Sequence, residues 1–241
     1  MQLKVVHRFL LMQLETKGIK LPGYVYIVES PSPRDLFDGR TEGTAICETF
    51  KLSGTKHSYS LAVNRAEFER AFALGAGQPF SVAFDDHGQE PPVVHLSMHG
   101  SSEGVQLTDG QIITWEELRA ILSPINSALP LGLMVTFSTC GGASSIAMSM
   151  ILGNDEKPFF ATVGSIDNVP WDDSLIAYSV FYHHWFKGTR TDQCVELMKA
   201  ASGHEGFRIY SGEKAKQDFI EYVRKRRGVG GREIGGNHPA A

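Results

Sequence analysis

The sequence predicts an α/β domain built on a mostly parallel six-stranded sheet with helices on both faces. Three observations predict it. Short β-branched and aromatic runs alternate with segments of helical spacing, the pattern of a parallel sheet crossed by helices. Leu133-Met134-Val135-Thr136-Phe137-Ser138-Thr139 is almost wholly apolar, as a central strand buried on both faces must be. This run and Val93-Val94-His95-Leu96-Ser97-Met98 each end in a reactive side chain followed by glycine, Cys140-Gly141-Gly142 in the one and His99-Gly100 in the other.

Taken in order, residues 2–17 carry Leu3, Val6, Leu10, Leu11 and Leu14 at roughly helical spacing, which predicts an amphipathic helix ended by Gly18. Its run Phe9-Leu10-Leu11-Met12 is bracketed by His7, Arg8 and Glu15 with no small-residue cleavage site after it, and reads as neither signal peptide nor membrane span. Residues 24–28 predict the first strand, with Ser30-Pro31-Ser32-Pro33 as a rigid exit loop. A helix over residues 40–52, a strand over 59–63 and a helix over 65–74 follow, and the Gly-rich, acidic stretch 75–89 predicts an irregular connection. Beyond the strand that begins at Val93, residues 104–115 alternate around Thr108-Asp109-Gly110 as a short hairpin does, and Thr114 with Glu117 forms a capping box for a helix through Leu122. The fourth strand covers 133–139 and a helix 143–152; a fifth strand covers 159–163 and helices 174–186 and 192–201; a sixth strand covers 207–210 and a closing helix 213–227. The organisation predicted is an N-terminal helix over residues 1–20, one domain over 21–227 and a disordered Gly-rich tail over 228–241.

A chain of 241 residues with 42% hydrophobic content supports one well-buried core. A net charge of −4 gives no global electrostatic case for nucleic acid or an anionic membrane, which leaves a small or peptidic substrate. The basic end of the last helix, Arg224-Lys225-Arg226-Arg227, complements a helix C-terminus and has no aromatic platform beside it. Cys47, Cys140 and Cys194 are few, odd in number and far apart, which argues against a disulfide framework and for a reducing, cytoplasmic compartment. Cys47 and Cys194 fall on predicted helices and read as inert, and His95 as a core histidine or one behind the site. The adjacent His183 and His184 point to different faces of one helix, which argues against a shared metal.

In open parallel sheets, active sites form beyond the carboxyl ends of strands, where His99 and Cys140 both fall. A thiolate is the reactive form of cysteine, and a neighbouring imidazole can accept the thiol proton and return it to a leaving amine. Gly100, Gly141 and Gly142 let backbone N–H groups approach a developing oxyanion, and a helix starting after Cys140 would favour negative charge on sulfur. A cysteine alone at a strand end reads as a small buried hydrophobe and a His-Gly alone as a turn; their joint placement reads as a catalytic dyad.

The stretches Val93-Val94-His95-Leu96-Ser97-Met98-His99-Gly100, Gly104-Val105-Gln106-Leu107-Thr108-Asp109-Gly110, Trp115-Glu116-Glu117-Leu118 and Phe137-Ser138-Thr139-Cys140-Gly141-Gly142 resemble the caspase-like cysteine peptidases, most closely the bacterial CHAT group. The resemblance implies a caspase-hemoglobinase-like sheet and a cysteine endopeptidase that needs no metal or cofactor. It makes Cys140 the nucleophile, His99 its acid–base partner and the backbone N–H groups of Gly100 and Cys140 the oxyanion site. It implies a protein or peptide substrate, an activating partner protein as a further candidate, and a setting in bacterial defence or regulated cell death. The S1 candidates are Arg40, where caspases hold an acidic P1 side chain, Ser138, and Asp167, Trp171 and Asp172 in the loop after the fifth strand. A carboxylate there would favour a basic P1 residue. Two departures stand out: Ser138-Thr139 precede the cysteine where caspases carry Gln-Ala, and only residues 153–157 follow as a linker, too few for activation by cutting a long intersubunit loop. The alternatives are a catalytically silent module of the same fold, or a different hydrolase or transferase acting on a small acyl substrate.

Overall fold

The structure is a computed structural model and describes residues 23–152 and 156–230. In chain order the strands are β1 (Tyr24–Ser30), β2 (His57–Leu61), β3 (Pro92–Gly100), β4 (Gly104–Gln106), β5 (Ile112–Thr114), β6 (Met134–Ser138), β7 (Ala161–Ser165) and β8 (Phe207–Ser211). The helices are α1 (Pro33–Phe37), α2 (Glu42–Ser53), α3 (Arg65–Phe72), α4 (Pro79–Asp86), α5 (Trp115–Ala128), α6 (Trp171–Trp185), α7 (Thr191–Ser202) and α8 (Gly212–Gly230), with a 3-10 helix over Gly142–Ser149.

Six strands form one path in the order β2-β1-β3-β6-β7-β8. All are parallel except β8, which runs antiparallel to β7. The hairpin β4–β5 hangs antiparallel on the far end of β3. The mostly parallel α/β architecture that the sequence predicts is therefore the one observed.

Period-2 alternation divides the strands between two cores. On one face Tyr26, Val94, Leu96, Val135 and Phe137 pack with Phe68, Phe80, Leu118 and Leu122 from α3, α4 and α5. On the other, Val25, Ile27, Val93, Met134 and Val163 pack with Ile46, Phe50, Tyr178 and Tyr182 from α2 and α6. Each fully buried aliphatic or aromatic side chain contributes about 1.5–3 kcal/mol of transfer free energy. Every residue of β1 and β6 is buried, so the middle of the sheet lies in the interior between the two cores.

Several predicted elements need correction. Residues 75–89 are not irregular throughout: Pro79 opens α4, which buries Phe80 and Ala83. The exit loop after β1 contains the short helix α1, started by Ser32 as N-cap and Pro33. The segment after Cys140 is a 3-10 helix, and α6 begins at Trp171 rather than Ser174. Strands β2 and β7 are shifted by about two residues from the predicted ranges, and the backbone of residues 228–230, placed by the sequence in a tail, continues α8. The predicted N-terminal helix and the rest of the tail lie outside the described residues. Among the described residues no helix is long and apolar enough to cross a membrane.

Candidate active site

The register of β3 against β6 brings the two reactive residues together. Ser97 pairs with Ser138, the last pair of the β3–β6 ladder, and His99 and Cys140 each stand two residues further along parallel neighbours. Because side chains alternate, Val93, His95, Ser97 and His99 share one face with Met134, Thr136 and Ser138, and Cys140, in the turn just past β6, lines a common cavity with His99. That face changes character along the strands, from apolar at Val93 and Met134, through buried polar groups, to the two candidate catalytic side chains at the open end.

Three glycines allow the close packing there. A Cβ on Gly100 would lie 2.8 Å from the Cys140 carbonyl oxygen and 2.8 Å from Thr139 Cβ. One on Gly164, in β7, would lie 2.6 Å from the Gly142 carbonyl carbon. Gly141 has φ +64°, a left-handed conformation that reverses the chain after Cys140 without side-chain strain. The Gly142 N–H donates to the Thr139 carbonyl at 3.1 Å and the Ser144 N–H to the Gly141 carbonyl at 2.8 Å, which tightens the turn into the 3-10 helix.

A cavity of about 140 Å³ opens beside this turn. His99 and Cys140 line it together with Met98, Phe137, Ser138, Thr139, Ser165, Val169, Pro170, Trp171, Ser174 and Phe207. The Trp171 ring stands edge-to-face with the His99 imidazole at 5.4 Å between centroids. The His99 side chain is 39% exposed, so a substrate can reach it. Its Nε2 lies 3.4 Å from Asp35 Oδ2.

Behind the cavity lies a buried polar network. Ser138 Oγ donates to Glu42 Oε1 at 2.6 Å, and Ser97 Oγ donates to Glu42 Oε2 at 2.6 Å. Ser138 and Ser174 hydroxyls are also 2.6 Å apart. With the one Ser138 proton committed to Glu42, Ser174 is the donor in that pair, and both cavity-lining hydroxyls keep only acceptor capacity. The Glu42 side chain is 1% exposed, and among the described residues the basic group paired with it is His95, with Nε2 3.8 Å from Oε2. His95 Nδ1 lies 2.9 Å from both Thr136 Oγ1 and the Tyr182 hydroxyl. The neighbouring carboxylate, Glu29, accepts from the Gly43 and Thr44 N–H groups at the start of α2 and from the Tyr59 hydroxyl. Burial pushes the Glu29 carboxyl above the usual carboxylate range despite these donors, with the Glu42 charge adding to the shift.

Of the S1 candidates, Ser138 and Trp171 line the cavity. Arg40 does not; its side chain is half exposed and pairs with Asp35 Oδ1 at 3.2 Å and Asp38 Oδ2 at 3.0 Å. Asp172 also lies off the cavity, one residue and hence about 100° round α6 from Trp171, exposed in the first turn. Asp167 is exposed, and its part in the site is a backbone one: its carbonyl lies 3.5 Å from the Gly141 nitrogen. Asp173, on the same turn as Asp172, pairs with His204 Nε2 at 2.9 Å. The cavity wall thus presents hydroxyls where the sequence suggested carboxylates. Burial pushes the thiols of both Cys47 and Cys194 up to about 11, which keeps them protonated at neutral pH.

Sequence reasoning missed three residues here: Asp35, Glu42 and Ser174. Asp35 had a legible signal, since Ser32 three residues before it forms a reciprocal cap, with the Asp35 N–H donating to Ser32 Oγ and Ser32 Oγ donating to Asp35 Oδ2 at 2.6 Å. Glu42 sits at a helix start, where acidic residues are expected on dipole grounds alone, so its inward direction had none. Among the described residues no group of three or more His, Cys, Asp or Glu side chains could hold a metal ion. No family model and no curated protein matches the chain.

Proposed function

We propose that this protein is a caspase-like cysteine endopeptidase acting on a protein substrate through Cys140 and His99. The observation that carries the reading is the paired register of Ser97 and Ser138, which sets both side chains on one cavity at the open ends of parallel neighbours. The strand order β2-β1-β3-β6-β7-β8, with only the last strand reversed, is compatible with the caspase-like sheet.

In the proposed reaction the Cys140 sulfur, its proton taken by His99, attacks the scissile carbonyl carbon. A C–S bond forms and the carbonyl π pair moves onto oxygen. The Gly100 and Cys140 N–H groups are the candidate donors to that oxyanion. Collapse re-forms the carbonyl and breaks the C–N bond, and the amine leaves with the proton from His99. Water, deprotonated by His99, then cleaves the thioester and regenerates the thiol. The P1 side chain occupies the cavity beside Trp171, where the acceptor-only hydroxyls of Ser138 and Ser174, backed by Glu42, favour a hydrogen-bond donor, Lys or Arg.

A peptidyl acyloxymethyl ketone with lysine at P1 tests the reading by mass spectrometry. Labelling confined to Cys140, and absent from His99→Gln, supports it. Equal labelling of the two proteins, or capture by a simple ester electrophile with none by the peptidyl one, contradicts it and favours a silent module or a small-acyl enzyme respectively.

A further inference from the structure

We infer that Asp35 is the positioning residue that orients the His99 imidazole, and that Arg40 serves the site by fixing Asp35 rather than by binding substrate. This rests on the assignment of Cys140 and His99 as a catalytic pair. The 3.4 Å approach of Asp35 Oδ2 to His99 Nε2 joins two elements 64 residues apart in sequence. Since a carboxylate only accepts, Nε2 carries the proton in this contact. With the proton on Nε2, the neutral imidazole keeps Nδ1 as its proton acceptor, on a ring that lines the same cavity as Cys140.

Asp35 is itself held on several sides, and orienting another group needs that. Its residue exposure is 8%. Oδ2 accepts from the Ser32 hydroxyl at 2.6 Å, Oδ1 lies 3.2 Å from the Arg40 guanidinium, and the Asp35 carbonyl accepts from the Arg40 N–H at 2.8 Å. The Ser32 hydroxyl foremost, then His99 and the Arg40 charge, hold this carboxyl below its ordinary range, so it stays ionised through neutral pH. The frame is local and stiff: Pro31 and Pro33 flank Ser32, and α1 is a single capped turn. From α6, the Trp171 ring stands edge-to-face with the same imidazole. His99 is thus located by a hydrogen bond from one element and a ring contact from another. Arg40, at the position where the sequence suggested a P1 ligand, pairs with the Asp35 oxygen that His99 does not contact, and so reaches His99 only through that ion pair.

The test uses Asp35→Ala, Asp35→Asn and Arg40→Ala in the full chain, with thermal unfolding to confirm that each folds. Two readouts are taken: kcat and KM on a cleaved peptide, and the rate of iodoacetamide alkylation at Cys140. For Asp35→Ala, kcat is expected to fall about tenfold to a hundredfold with KM within about twofold, a fraction of the roughly 10²- to 10⁴-fold that a positioned acid–base supplies. Alkylation is expected to slow about tenfold. Asp35→Asn, whose carbonyl oxygen can still accept from Nε2–H, is expected to recover part of both, and Arg40→Ala to lose less than Asp35→Ala. Alkylation at unchanged rate in folded Asp35→Ala overturns the inference whether or not any peptide is cleaved. Alkylation that depends on Asp35 in a protein that cleaves no peptide upholds the inference and removes the endopeptidase reading. A loss confined to KM assigns Asp35 to substrate binding and overturns it as well.

Discussion

Ser97 and Ser138 are directly paired across β3 and β6, and both donate to the same buried carboxylate, Glu42, at 2.6 Å. The pair does two jobs at once. As a register mark it sets His99 and Cys140 level at the strand ends, and as a donor pair it holds a carboxylate behind the cavity with, among the described residues, no Lys or Arg paired to it.

Replacing Glu42 is therefore expected to change specificity more than chemistry. In Glu42→Gln the ratio of kcat/KM for lysine over norleucine at P1 is expected to fall about tenfold, with the norleucine value within about threefold of wild type. A tenfold change corresponds to about 1.4 kcal/mol, close to the lower end of the roughly 1.5–3 kcal/mol of a hydrogen bond to a charged group. Measuring both substrates on the purified variant checks it; an unchanged ratio assigns Glu42 to the core alone.

Gly164 is expected to be as sensitive as the site residues although it does not line the cavity beside Cys140. Its added Cβ meets the Gly142 carbonyl carbon at 2.6 Å and the Ala143 nitrogen at 2.8 Å, both backbone atoms that cannot rotate away. Gly164→Ala is expected to cost about 1–3 kcal/mol in denaturant unfolding and to displace the turn that carries Cys140. Alkylation of Cys140 at the wild-type rate in the folded variant would contradict the displacement.

The same measurement on Gly100→Ala separates two effects. The clash is with the Cys140 carbonyl itself, so the loss in kcat is expected to exceed that of Gly164→Ala for a similar loss of stability. Paired unfolding and kinetic data on the two variants check the order.

Asp35 gives the pH dependence a sign. Its carboxyl is held below the ordinary value, first by the Ser32 hydroxyl, so the folded state binds this proton more weakly than the unfolded chain. The stability it contributes is present above the ordinary Asp value of about 3.9 and is lost as pH falls through the lower folded value. Asp35→Asn is expected to flatten the acid side of the stability curve, read as urea midpoints between about pH 5 and pH 2.5. A wild-type slope retained in the variant would contradict it.

Much of this arrangement was legible from residues and spacing. The apolar runs ending in His99-Gly100 and Cys140-Gly141-Gly142 announce central strands with functional ends, and the Thr114–Glu117 capping box starts α5 where it is observed. The buried face of β6 was harder to read, because Thr136 and Ser138 are small enough to pass within an apolar run yet spend their hydroxyls on His95 and Glu42. Helix α4 was obscured by the glycines and acidic residues at its ends, although Pro79 followed by Phe80, Ala83 and Phe84 carries a helical start and spacing. The 3-10 form after Cys140 follows from tertiary crowding, with Gly142 pressed between Phe137 and Gly164, and local propensity holds no trace of that. The carboxylates expected around Trp171 failed for a geometric reason: consecutive helix positions diverge by about 100°, so Trp171 lines the cavity and Asp172 does not.

Cleavage of a diverse peptide library, read by mass spectrometry for wild type, Cys140→Ala and His99→Gln, decides whether Cys140 and His99 act together as a peptidase. Cuts after Lys and Arg are expected from the wild type, none from Cys140→Ala, and a loss of at least about a hundredfold in His99→Gln. Cuts that persist in Cys140→Ala, or a wild type that cuts nothing while its Cys140 alkylates no faster than that of His99→Gln, would contradict it.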